Sequence, residues 1–163
     1  MFCLIDCDKF KSINDTYGHS VGDKVIIAVA EKLRKTCRDS DVVLRLGGDE
    51  FAIFMPKMLE RTVAEKFFER LFENIRQIDV IEMPGKSIEI SLGACFYNGY
   101  EETSFEQLYR KADGAMYQSE KAERLQCCNL WGGDVRKFWK IPGYKLRSET
   151  VKKRMGAWHR FFV

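Results

Sequence analysis

Apolar positions fall along this chain in short runs and four-residue stripes, the periods of strand and helix. Phe2 to Ile5 is a continuous apolar run closed by Asp6, the pattern of a buried strand whose end opens into a site. Val21, Val25, Val29 and Leu33 repeat every four residues as far as Cys37 with charges between them, which predicts an amphipathic helix. Val42–Leu46 and Phe51–Met55 read as two strands joined by Gly47-Gly48-Asp49-Glu50, a hairpin with a glycine-led turn, and Pro56 stops the second strand. Val63, Phe67, Leu71, Ile75 and Ile78 make a second helical stripe, and Ser87 to Phe96 alternates as a strand. Phe105, Leu108, Ala112 and Met116 make a third stripe, and Leu125 to Leu130 suits a last short strand. This order predicts an α+β architecture, with helices laid against one face of a central, mostly antiparallel sheet.

The length of 163 residues and the balance of 45% apolar to 31% charged residues fit one ordinary globular domain. No apolar run approaches the roughly 20 residues needed to cross a bilayer, and the first residues lack the layout of a signal peptide, so a cytoplasmic location is expected. The six cysteines show no CxxC and no histidine at zinc-ligand spacing. Reduced thiols are therefore expected, with Cys3, Cys95, Cys127 and Cys128 packing as small hydrophobes in strand-like runs. The net charge of +3 hides an asymmetry: residues 1–128 carry −4 and residues 129–163 carry +7. That divides the chain into an acidic body, 1–128, and a basic, aromatic tail, 129–163.

Candidate chemistry lies in the body. Asp6 and Asp8 follow the first strand, and Asp49 and Glu50 sit in the hairpin turn. Strands lying side by side would gather these acids at one sheet edge, where close carboxylates repel by a few kcal/mol at an effective dielectric near ~20 unless a cation joins them. Hard oxygen donors of this kind suit Mg²⁺ (or Mn²⁺) carrying substrate phosphates. Taken singly, each acid is better read as a turn or capping residue. His19, in Tyr17-Gly18-His19, reads as a capping or packing residue at a turn between two helices rather than as a proton carrier.

The stretch from Asp6-Cys7-Asp8-Lys9-Phe10-Lys11 through Asn14-Asp15-Thr16-Tyr17-Gly18-His19 to Gly22-Asp23, followed by Leu46-Gly47-Gly48-Asp49-Glu50-Phe51, resembles the GGDEF family of diguanylate cyclases. Ser91-Leu92-Gly93 and Ala112-Asp113-Gly114-Ala115-Met116-Tyr117 extend the resemblance to about residue 126. It implies a nucleotidyl-cyclase or polymerase-palm-like fold with a ferredoxin-like core. It also implies condensation of two GTP into cyclic di-GMP and pyrophosphate by two domains facing each other as a transient antiparallel homodimer. By the resemblance, Asp6, the carbonyl of Cys7, Asp49 and Glu50 hold the metal, Asp49 and Glu50 serving catalysis. Asn14 and Asp23 read guanine, and the amides of Asp8, Lys9, Phe10 and Lys11 cradle phosphates at a helix entry. Gly47 and Gly48 let the nucleotide approach the main chain. Arg38 and Asp41, an RxxD ahead of Gly47, match the family's inhibitory site for cyclic di-GMP.

Three departures accompany the match. The family's phosphate-binding Lys is replaced by Glu120, with Lys121 next along the helix and the phosphate Arg kept as Arg124. The family's segment before the first strand, with a DxLTxLxNR pattern, is not matched. The tail is not part of the pattern; Val151, Met155, Trp158 and Phe162 share a helical face among basic residues. Docking of that face on its own domain is preferred over contact with nucleic acid or a membrane. The intact acids favour a cyclase with product inhibition. Glu120 and the unmatched leader favour the alternative, a weak or inactive domain that binds GTP or cyclic di-GMP.

Overall fold

The computed structural model describes residues 1–97, 104–122 and 126–129, with side chains as far as Met116. The elements run β1 (Phe2–Cys7), α1 (Phe10–Tyr17), α2 (His19–Thr36), β2 (Val42–Gly47), β3 (Glu50–Phe54), α3 (Arg61–Arg76), β4 (Ile90–Phe96), α4 (Phe105–Ala122) and β5 (Gln126–Asn129). They build a sheet of order β2-β3-β1-β4-β5. β1 lies antiparallel to both β3 and β4, and β2 antiparallel to β3, while β5 pairs with β4 in parallel. The first four strands with their crossover helices follow the βαββαβ order of a ferredoxin-like core. The α+β reading holds, and the parallel pair at one edge makes the sheet mostly antiparallel.

All six residues of β1 and all seven of β4 are buried, which explains why β1 reads as an unbroken apolar run instead of alternating. Odd positions of β1 (Cys3, Ile5, Cys7), with Met1 just before it, join the core beneath α2 and α3; even positions (Phe2, Leu4) join a second cluster with Leu108 and Ala112 of α4. Helices therefore cover both faces of the sheet, in place of the single covered face expected. A strand with apolar residues at every position needs a packing layer on each side.

The helical stripes hold with local corrections. Val21, Val25, Val29 and Leu33 of α2 are buried. In α3 the inward residues are Ala64, Phe67, Phe68, Leu71, Phe72 and Ile75, whereas Val63 faces outward and Ile78 is buried beyond the helix end. Phe105 opens α4 and is half exposed, with its ring edge-on to Phe2 at 5.6 Å between centroids. β4 begins at Ile90, so residues 87–89 lie outside the strand. Cys3 and Cys95 are buried free thiols, as expected of packing residues; Cys127 and Cys128 lie in β5, where only the backbone is described. The anticipated end of the body at residue 128 falls inside β5, and residues 130–163 lie outside the described residues. Among the described residues no helix is long and apolar enough to cross a membrane.

Gly93 sets how closely α4 lies on the sheet. A Cβ there would overlap the Ala112 carbonyl and come within 2.5 Å of the Met116 amide nitrogen and 2.7 Å of its Cβ. The backbone of α4 thus rests directly on β4, opposite Leu4 of β1. Gly93→Ala is expected to lower stability by about 1–3 kcal/mol, the range for overpacking a filled interior. Urea unfolding checks this as a shift of midpoint at constant slope.

Candidate active site

The acidic residues converge because two strands end together. In the β1–β3 ladder Asp6 stands opposite Glu50, and in the β1–β4 ladder it stands opposite Ser91. Glu50 and Ser91 share the parity of Ala52 and Cys95, so Asp6, Glu50 and Ser91 lie on the α4 face at one end of the sheet. Directly opposed residues have Cβ atoms roughly 4.5–5.5 Å apart, so the two acidic side chains spring from neighbouring positions on one face. Asp6 is only 8% exposed, whereas Glu50 and Asp49 are half-buried.

Asp49 is delivered by the turn. Gly47 pairs with Glu50, leaving Gly48 and Asp49 as the two turn residues. Gly48 has φ +55° and Asp49 a negative φ, the sign pattern of a type II′ hairpin turn, which requires glycine at the first position. Arg45 Nε and Nη2 both donate to the Gly48 carbonyl, at 3.1 and 2.8 Å, and the Cys7 amide donates to the Asp49 carbonyl at 3.2 Å. The turn is thereby tied to its own strand and to the end of β1. A Cβ at Gly47 or Gly48 would meet nothing within 4 Å, so the outside of the turn is open to a ligand.

Cys7 points to the opposite face, into the core beneath α2 and α3. Burial first, then the negative charges of Asp6, Asp49 and Asp8, hold its thiol well above the ordinary range, with Arg45 opposing. A protonated thiol is a poor ligand for a hard cation, leaving the main-chain carbonyl as the group this residue can offer. Among the described residues no three or more His, Cys, Asp or Glu side chains are gathered closely enough to hold a metal ion by themselves. The arrangement is an open acidic rim, suited to a cation that takes its remaining ligands from water and substrate.

Past β1 the chain turns sharply. The Asp8 amide donates to the Glu89 carbonyl at 3.0 Å, and Ser91 Oγ donates to Asp8 Oδ1 at 2.7 Å. Lys9 adopts the left-handed conformation, φ 58° and ψ 21°, at the start of α1, and no side chain caps that helix. Its Nζ meets Glu89 Oε2 at 3.5 Å. The first amides of α1, at Phe10 and Lys11, therefore leave the helix as donors beside the acidic rim, the geometry that favours an anion.

Asn14 lies in α1 and exposed Asp23 in α2, joined by the turn at Gly18, whose φ is +84°. His19 is the first residue of α2, consistent with a turn position. Asn14 Oδ1 is buried and accepts no hydrogen bond among the described residues. It lies on Gly22, where an added Cβ would overlap it.

Arg38 and Asp41 form a separate turn after α2. The Arg38 amide donates to Asp41 Oδ2, and the Asp41 amide donates to the Arg38 carbonyl, both at 2.9 Å. Arg38 is exposed, so the closed turn presents a guanidinium outward. Burial and the Asp41 carboxylate push the adjacent Cys37 thiol up to about 11, with Arg70 opposing. Glu120 and Lys121 fall in the last turns of α4, where only the backbone is described, and Arg124 lies outside the described residues. Gly22, Arg45 and Ser91 drew no role from sequence. Ser91 stood inside a quoted motif, but its partner Asp8 is 83 residues away along the chain.

The chain has relatives of the same family and fold. The family described as "Diguanylate cyclase, GGDEF domain" matches residues 1–126. The "Probable diguanylate cyclase DgcC" of Escherichia coli K12 is 37% identical over 121 residues, 74% of this chain and 32% of that protein. This chain thus spans about a third of that relative's length. Among solved structures, the GGDEF domain of DgcB from Caulobacter crescentus in complex with c-di-GMP is similar with a TM-score of 0.67 and 26% identity, over 78% of this chain and 75% of that one. The active GGEEF domain of a diguanylate cyclase from Vibrio cholerae is similar with a TM-score of 0.66 and 26% identity, over 83% and 82%. With its palm-like fold and its acidic strand end and glycine turn in the family's order, this chain belongs to the GGDEF family of diguanylate cyclase domains.

Proposed function

We propose that this domain is a diguanylate cyclase, joining two GTP molecules into cyclic di-GMP with release of two pyrophosphates. The observation that carries the reading is the placement of Asp6 opposite Glu50, with Asp49 in the adjoining turn and the uncapped start of α1 beside them. The donor set fits Mg²⁺ or Mn²⁺, which Asp6, Asp49, Glu50 and the Cys7 carbonyl would hold. Such a cation, when bound, neutralises charge at the attacked α-phosphate and acidifies the 3′-hydroxyl.

The chain's own groups do the rest. The amides from Asp8 to Lys11 hold the terminal phosphates, and Lys121 and Arg124 supply cations to them. Asn14 and Asp23 read the guanine edge, the Asp23 carboxylate accepting from its two neighbouring N–H donors. Gly47 and Gly48 admit the nucleotide to the hairpin. Glu50 takes the proton of the attacking 3′-hydroxyl. The 3′-oxygen of one GTP bonds to the α-phosphorus of the other, the bond to the β-phosphate oxygen breaks, and pyrophosphate leaves; the reverse pairing closes the ring. Each domain holds one GTP, so two copies face each other in a transient antiparallel dimer. The Arg38–Asp41 turn binds the product and limits turnover, a reading supported by the c-di-GMP complex of the related DgcB domain.

Incubation of the chain with GTP and Mg²⁺ is expected to yield cyclic di-GMP and pyrophosphate. Asp49→Ala is expected to lower the rate by more than about 100-fold with unfolding unchanged, whereas Cys7→Ala, which keeps the carbonyl, stays within about 3-fold. Absence of product with retained nucleotide binding would assign the domain as a binding module instead, the outcome that Glu120 favours; Glu120→Lys should then restore turnover. Arg38→Ala is expected to raise the cyclic di-GMP concentration needed for half-inhibition by about 10-fold or more, the loss of one charge-assisted contact, read from progress curves at fixed GTP.

A further inference from the structure

Gly22 lies one residue before Asp23 in α2, is buried, and faces α1. A Cβ on it would overlap Asn14 Oδ1 and come within 3.0 Å of Asn14 Cγ and 3.3 Å of Phe10 Cζ. The Asn14 carboxamide therefore rests on bare helix backbone, and its oxygen is buried there with no donor among the described residues. Glycine inside a helix is otherwise unfavourable relative to alanine. At this position the missing side chain is what lets α1 approach α2 with Asn14 between them.

We propose that Gly22 is a positioning residue for guanine selection: the space left by its absent side chain fixes Asn14 relative to Asp23, and so sets the spacing of the two groups that read the base. This rests on the reading of Asn14 and Asp23 as the guanine-binding pair. With a methyl group at 22, Asn14 must rotate off the helix or α1 must lift, and either movement displaces one reader from the other. Cation contacts, which come from the end of β1 and the hairpin, stay where they are. The loss therefore falls on base discrimination and on KM more than on kcat.

The test is a double-mutant cycle of Gly22→Ala and Asn14→Ala in the full chain, read by equilibrium binding of GTP and ATP with Mg²⁺, by KM and kcat for GTP, and by thermal unfolding. Gly22→Ala alone is expected to weaken GTP binding about 10-fold, bring GTP and ATP affinities correspondingly closer, and leave kcat within about 3-fold. In the Asn14→Ala background the same change is expected to cost no further GTP affinity, and to raise the melting temperature where it lowered it before. Should Gly22→Ala alone fail to fold, recovery of folding in the double variant supports the contact. Unchanged GTP preference in Gly22→Ala, or equal losses in both backgrounds, would overturn the proposal. A wild-type chain that binds neither GTP nor ATP would overturn the cyclase reading and the guanine role with it, whereas coupling in unfolding alone, with GTP bound equally by all variants, would reduce Gly22 to a packing residue.

Discussion

Two acidic residues opposed across antiparallel strands are the constraint on which the rest of this molecule depends. Ionised carboxylates about 5 Å apart would repel by about 3 kcal/mol at an effective dielectric near 20, and the sheet sets Asp6 directly against Glu50. In the observed register Asp6 lies on the α4 face and Cys7 on the face beneath α2 and α3, and a one-residue slip would exchange them. Burial elsewhere along the same strand sustains that opposition, and in the proposed reading a divalent cation with a phosphate ligand would relieve it.

The surroundings of the rim are braced by short polar contacts rather than by additional charge. Arg45 holds the turn through the Gly48 carbonyl, and Ser91 holds Asp8 from the neighbouring strand. These contacts keep the carboxylates near the open edge while the Cys7 thiol is turned inward and kept protonated. The left-handed Lys9 redirects the chain within one residue, which places the start of α1 beside the acids. Carboxylates and uncapped helix amides on opposite sides of one tight bend are the pairing that the proposed metal-bound triphosphate would require.

Close approach of backbones recurs as the means of placing helices. Gly93 lets α4 lie on β4, and Gly22 lets the Asn14 side chain lie on α2. In both cases an apolar or helical periodicity marks the element, and the missing side chain decides its distance from the neighbour. Such contacts are sensitive to a single methyl group because interiors are packed without spare volume.

The sequence alone determined which elements form and which residues belong to the family's motifs. The periods of α2 and α3, the glycine turn and the unbroken run of β1 are local properties, written in residues a few positions apart. Val63 and Phe105 show the limit of that reading, since periodicity names a stripe but not the edge where packing stops. Helices on both sides of the sheet, the opposition of Asp6 to Glu50 and to Ser91, and the seating of Asn14 on Gly22 belong to the tertiary structure. Those relations join residues eight to 85 positions apart, and only strand pairing and helix packing, which act through space, set their distances.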